Sequence, residues 1–134
     1  MEPAAFHLKV GMSRGDAVER LRVGGLATKP GKRGDELFVE FDQGKTLTLS
    51  FRRGNVSSIR FELVAFPNEI REAFVEKKKA LREQLGPPVE RGTTLIYDQT
   101  KPNVMAVMSI DPKSSFGRQG LGFFVVRYFE PPPE

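Results

Sequence analysis

The chain contains no cysteine and no tryptophan, and its 134 residues include one histidine and two tyrosines. Without cysteine there can be no disulfide, thiolate metal site or cysteine nucleophile. A single histidine, His7, excludes a multi-histidine zinc site and leaves one candidate imidazole for a catalytic triad. His7 alternates with Phe6 and Leu8 on an expected strand, a pattern that suits a structural side chain. No apolar run reaches the roughly 18 residues of a membrane span, so no transmembrane helix is expected. The opening Met1-Glu2-Pro3-Ala4-Ala5 has neither a basic region nor a long apolar stretch, so no signal peptide is expected there. As it stands the sequence points to the cytoplasm, or to the periplasm if a leader was removed. Net charge is small as well: 21 basic and 17 acidic residues give +4, and the two signs are interspersed. Nucleic-acid binders concentrate their basic residues on one face or tail, so nucleic acid is not an expected partner.

The residues present describe one α+β domain over 1–130 and a Pro-rich tail over 131–134. Eleven phenylalanines supply the main core filler. Val10 to Leu21 reads as a strand end turning into a capped helix. Ser13 can accept from the Asp16 N–H, Asp16 can reach back to Ser13, and Met12 and Ala17 occupy the staple positions. This helix runs from Arg14 to Val23, where Gly24-Gly25 stops it. Residues 28–35 hold turn and charge residues and read as a mobile loop. The period then becomes two: Leu37, Val39 and Phe41, then Leu47, Leu49 and Phe51, then Ile59, Phe61 and Leu63 form the apolar faces of three antiparallel strands. Turns are expected at Gln43-Gly44 and Gly54-Asn55. A long helix opens at Pro67-Asn68, with Asn68 as cap, and ends at Gly86-Pro87-Pro88.

Two later strands, Val104–Ile110 and Leu121–Phe129, are apolar on both faces. Met105 and Val107 oppose Val104, Ala106 and Met108, while Phe123 and Val125 oppose Phe124 and Val126. Such strands need cover on both faces. The pattern predicts an antiparallel sheet of six to seven strands with two helices on one face, the helix-plus-meander unit repeated. The second cover would be the first helix, a loop or another chain.

The Gly11-Met12-Ser13 turn, preceded by Leu8-Lys9-Val10 and followed by Val18 and Leu21, resembles the SmpA/OmlA family over residues 8–21. Leu81-Arg82-Glu83-Gln84-Leu85-Gly86-Pro87-Pro88 is similar to the helix-ending Leu-Gly-x-Pro of the same units, over residues 81–88. Those are small bacterial lipoproteins of the outer-membrane assembly machinery that share a helix-plus-meander unit with the β-lactamase-inhibitor-protein (BLIP-like) fold. This chain has no lipidated cysteine, and its first helix ends in Gly-Gly. The resemblance implies a non-enzymatic protein-binding scaffold and assigns no binding residues. The element order also looks like that of type III secretion chaperones, which are dimeric.

Motifs of catalysis are weak. Gly44-Lys45-Thr46 has Val39, and Gly31-Lys32 has Leu26, where a phosphate loop needs glycine, and neither opens a helix. Arg33-Gly34-Asp35 and the sequon Asn55-Val56-Ser57 are short enough to arise by chance. Glu40 and Asp42, like Arg60 and Glu62, share a polar strand face, with nothing to separate two carboxylate pKa values. On the long helix, Ile70, Ala73, Phe74, Leu81 and Leu85 form an apolar stripe with Lys77 near its middle. Lys77 must snorkel, pair, or meet a partner or ligand between helix and sheet. The loop 111–120 is longer than a plain hairpin needs and carries one aromatic, Phe116, among basic residues, as a recognition finger would.

These readings converge on a non-catalytic protein-binding or adaptor scaffold, with a dimeric type III secretion chaperone-like protein as the alternative. No enzyme activity, cofactor or metal is expected. The partner is another protein or a second copy of the chain. Candidate contacts are Phe116, Arg118, Lys113, Lys77, Phe124 and Met105, with Val107 and Val126 beside the last two.

Overall fold

The computed structural model describes residues 8–31, 35–40, 44–92, 94–97, 103–110 and 122–129, with 103–110 described by its backbone alone. The class is α+β. The order is helix α1 (Arg14–Val23), strands β1 (Lys29–Pro30), β2 (Glu36–Glu40), β3 (Lys45–Arg52) and β4 (Asn55–Ala65), and helix α2 (Pro67–Leu85). Strands β5 (Val89–Arg91), β6 (Thr94–Ile96), β7 (Asn103–Ile110) and β8 (Gly122–Phe129) follow. All pair antiparallel in one sheet ordered β1-β2-β3-β4-β8-β7-β6-β5.

The sheet therefore has eight strands where six or seven were expected. The additions are its edges, β1 of two residues and β5 of three, too short and exposed to show alternation. β1 lies within the stretch read as a loop. The expected first strand is absent over its described part, Leu8–Val10; Phe6 and His7 lie outside the described residues. That segment instead leads alongside the β3–β4 hairpin, where Gly11 N–H donates to Val56 O at 2.7 Å and Val56 N–H to Met12 O at 2.8 Å.

Local chemistry sets α1. Ser13 Oγ accepts from Asp16 N–H at 3.1 Å, and Arg14 N–H donates to Gly54 O at 2.9 Å, so cap and hairpin are tied together. At the other end Gly25, at φ +79°, closes a Schellman motif. Leu26 N–H donates to Leu21 O at 2.9 Å and Gly25 N–H to Arg22 O at 3.0 Å. α2 starts two residues earlier than Asn68 as cap would allow. Phe66 takes the cap position without a side-chain bond, and Pro67 fills the first turn, where its missing N–H is harmless.

Strands β2–β4 keep the expected phase: Leu37, Val39, Leu47, Leu49, Ile59 and Phe61 are all buried. One extra residue, Ser57, bulges β4, so that Phe51 pairs Val56 while Ser50 pairs Ser58. The bulge turns Val56 and Ile59, three apart, to the same core. Both helices lie on this face. α1 buries Ala17 and Leu21 against β2–β4. α2 buries Ile70 and Leu81 against Ala65, Leu95, Tyr97, Phe124 and Val126. Leu63 and Tyr128 touch both clusters and join them into one layer.

This arrangement corrects one assignment. Phe124 and Val126, expected as partner contacts, are 1% and 0% exposed beneath α2. The Phe74 ring meets Phe124 edge-on at 6.1 Å between centroids. They are core, and no partner reaches them while α2 is in place. Nor does α1 cover the second face of the doubly apolar strands, because it shares a face with α2.

Candidate functional site

Since both helices occupy one side, no helix among the described residues lies over the other side of the sheet. The register lays out that open face in rows. Lys29, Phe38, Thr48, Arg60, Arg127, Met105, Ile96 and Val89 pair in succession across all eight strands. A flanking row runs Glu36–Ser50–Ser58–Phe129, and the other Glu40–Thr46–Glu62–Val125–Val107. The face is thus divided. Its β2–β4 half carries hydroxyls, carboxylates and Phe38, while from β8 outward come Phe123 and Ile96, both half-buried, and Val125, which is buried.

Over the polar half lies a concavity of about 660 Å³. Phe38 and Pro30 form its wall, and Thr48, Ser50 and Ser58 supply hydroxyls. Glu36, Glu62, Arg60 and Arg127 bring two charges of each sign. The bulge at Ser57 adjoins it, and bulges sharpen the twist of the strand that carries them.

Most of these charges are engaged. Arg60 Nε lies 2.6 Å from Glu62 Oε1, and Ser50 Oγ donates to Glu36 Oε2 at 3.3 Å. Arg127 behaves differently. Its guanidinium carbon sits 4.9 Å from the centroid of the Phe129 ring, and it makes no ion pair with a described residue. Arg60 and Arg127 are also direct cross-strand partners on the two central strands, a like-charge pairing that sheets ordinarily avoid.

The residues expected from sequence are scattered. Lys113, Phe116 and Arg118 lie outside the described residues. Met105 falls in the open-face row by register, between Arg127 and Ile96. Phe124 is core, as above. Lys77 stays on the helix side, half-buried, with Nζ 5.6 Å from the Tyr128 ring centroid. A cation over an aromatic face supplies the compensation that an ammonium in an apolar stripe requires.

Sequence reasoning passed over the cavity residues Phe38, Thr48, Ser50, Ser58 and Arg127. One signal was visible: Phe38 stands between Glu36 and Glu40 on the polar side of β2. Among the described residues no cluster of His, Asp or Glu is placed to hold a metal ion, and no helix is long and apolar enough to cross a membrane. The fold and this face define an α+β protein with both described helices on one side of its sheet. Comparison with protein-family models, with curated proteins and with solved structures finds no match.

Proposed function

We propose that the protein is a non-catalytic protein-binding module, an adaptor scaffold that receives its partner on the open face of the sheet. One observation carries this reading. A face crossing eight strands has no layer over it among the described residues, yet it carries the half-buried Phe123 and Ile96 and the exposed Val89. Apolar sheet faces are ordinarily covered, and an uncovered one marks an interaction surface. The platform is rigid, because β4 and β8 pair over eight residue pairs at the centre of the sheet. A rigid surface loses little conformational freedom on binding. The carboxylates in the concavity already accept from Arg60 and Ser50, so their first role is structural.

Paired substitutions test it. Phe123→Asp charges the open face; Val75→Asp charges the exposed side of α2, where Val75 is 63% exposed. Thr48→Arg fills the polar half between its cross-strand neighbours Phe38 and Arg60. The expected result is that a protein co-purifying with wild type and Val75→Asp is lost by Phe123→Asp and Thr48→Arg, with all four folded at the assay temperature. Equal capture by all four contradicts the reading. Sedimentation identifies the other occupant: a concentration-dependent dimer abolished by Phe123→Asp would put a second copy on this face, the chaperone-like alternative.

A further inference from the structure

The sheet sets two guanidinium groups side by side where packing alone has no use for them. Arg60 and Arg127 are in register on β4 and β8, both exposed, both lining the concavity. Directly opposed like charges destabilise a strand pair, whereas threonine or an opposite charge at either position would stabilise it. Glu62 answers only one of the two, through Arg60 Nε. The Arg127 guanidinium carbon lies 4.9 Å from the Phe129 ring centroid, a contact with a ring that accepts no N–H in place of a planar carboxylate. Thr48 pairs Arg60 on the other side, so a hydroxyl stands next to the cations, and Phe38 closes the wall beyond it. From the β8 side outward the face becomes apolar, with the half-buried Phe123 and Ile96 and the exposed Val89.

We infer that an acidic segment of the partner docks here, its side-chain carboxylate held between Arg127 and Arg60 and its apolar neighbours lying on Phe123 and Ile96. The inference rests on the open face being the binding face, and it names the chemistry of what binds. Arg60 is answered by Glu62, whereas Arg127 makes no ion pair with a described residue, so its guanidinium is the cation left for a carboxylate. Carboxylates also match the fork of a guanidinium, which can donate two parallel hydrogen bonds to one acceptor pair.

The probe is 3-phenylpropionate, a carboxylate beside an apolar ring, titrated into ¹⁵N-labelled full-length protein. Saturable shifts are expected at the side-chain N–H groups of Arg60 and Arg127 and at the Thr48 amide. Uncharged 3-phenylpropanamide should leave them unmoved, and inorganic phosphate should bind more weakly than the carboxylate. Arg127→Gln is expected to weaken the carboxylate about tenfold or more, the usual effect of losing a charge-assisted hydrogen bond. It should not lower the melting temperature, because it removes a like-charge neighbour. If that variant melts early, Arg60→Gln carries the same comparison. Equal binding of the amide, tighter binding of phosphate, or undiminished affinity in the arginine variants overturns the inference. Should the carboxylate fail while Phe123→Asp still abolishes capture, the open face survives as the binding face and only its acidic ligand falls.

Discussion

Tyr97 shows how far a single side chain can tie the fold to pH. It lies just beyond β6, 2% exposed, in the cluster beneath α2. Burial above all, helped by the Glu90 carboxylate and opposed by Arg82, pushes its hydroxyl above the usual tyrosine range. The folded protein therefore keeps a proton that the unfolded chain releases near pH ~10. That contribution to stability is complete below the unfolded value and is lost as pH rises through the folded one. Melting temperature should consequently fall more steeply above pH ~10 in wild type than in Tyr97→Phe. Parallel curves for the two proteins would contradict this. Glu90, in turn, is held below the ordinary carboxylate range by its hydrogen bond from Lys78 Nζ, at 2.9 Å, across from α2 to the edge strand β5.

Among the elements, the β3–β4 hairpin carries a visible strain. Arg52 pairs Asn55, so the loop is Arg53-Gly54, both at positive φ, +54° and +79°. Such two-residue turns favour Asn-Gly, and an arginine there holds a left-handed conformation at a cost of ~1 kcal/mol. Arg53→Asn is expected to stabilise the protein by roughly 0.5–1 kcal/mol in denaturant melts. A destabilised variant would mean that Arg53 makes a contact worth more than the strain. The turn was expected one residue later, at Gly54-Asn55, because spacing alone does not show which glycine neighbour pairs.

The same distinction runs through the other elements. α1 was legible from Arg14 to Val23 because its limits are local, in Ser13 and Gly24-Gly25. The phase of β2–β4 was legible because alternation is local too. Burial of Val56 was not, since it depends on the Ser57 bulge, and neither was the meeting of Arg60 with Arg127, which the register between two distant strands decides. The cap of α2 was misplaced by two residues for a subtler reason. Asn68 is the better capping side chain, but Pro67 already fits the first helical turn.

At the scale of the whole molecule, the two helices and the sheet divide their tasks by face. One face holds both cores and is closed by α1 and α2, with Lys77 resting over Tyr128 at the junction of the clusters. The opposite face holds the concavity, the paired arginines and the half-buried Phe123 and Ile96. The doubly apolar composition of β7 and β8, read from sequence as a demand for cover on both sides, is met on one side by α2. Of the four residues once grouped as contacts, Met105 and Val107 fall in open-face rows by register and Phe124 and Val126 are core. The central claim is that the open face, and not the helical face, meets the partner.

Because the chain has no cysteine, a single introduced thiol reports on one place at a time. Thiol alkylation of Thr48→Cys, on the open face, and of Val75→Cys, on the outer side of α2, measures this most directly. Rates are compared for the purified protein across a dilution series and for the co-purified complex. The expected result is slowed alkylation at position 48 in the complex with no change at position 75. Protection at 75 alone, or at neither position in a complex that demonstrably forms, would contradict the open face as the site of binding.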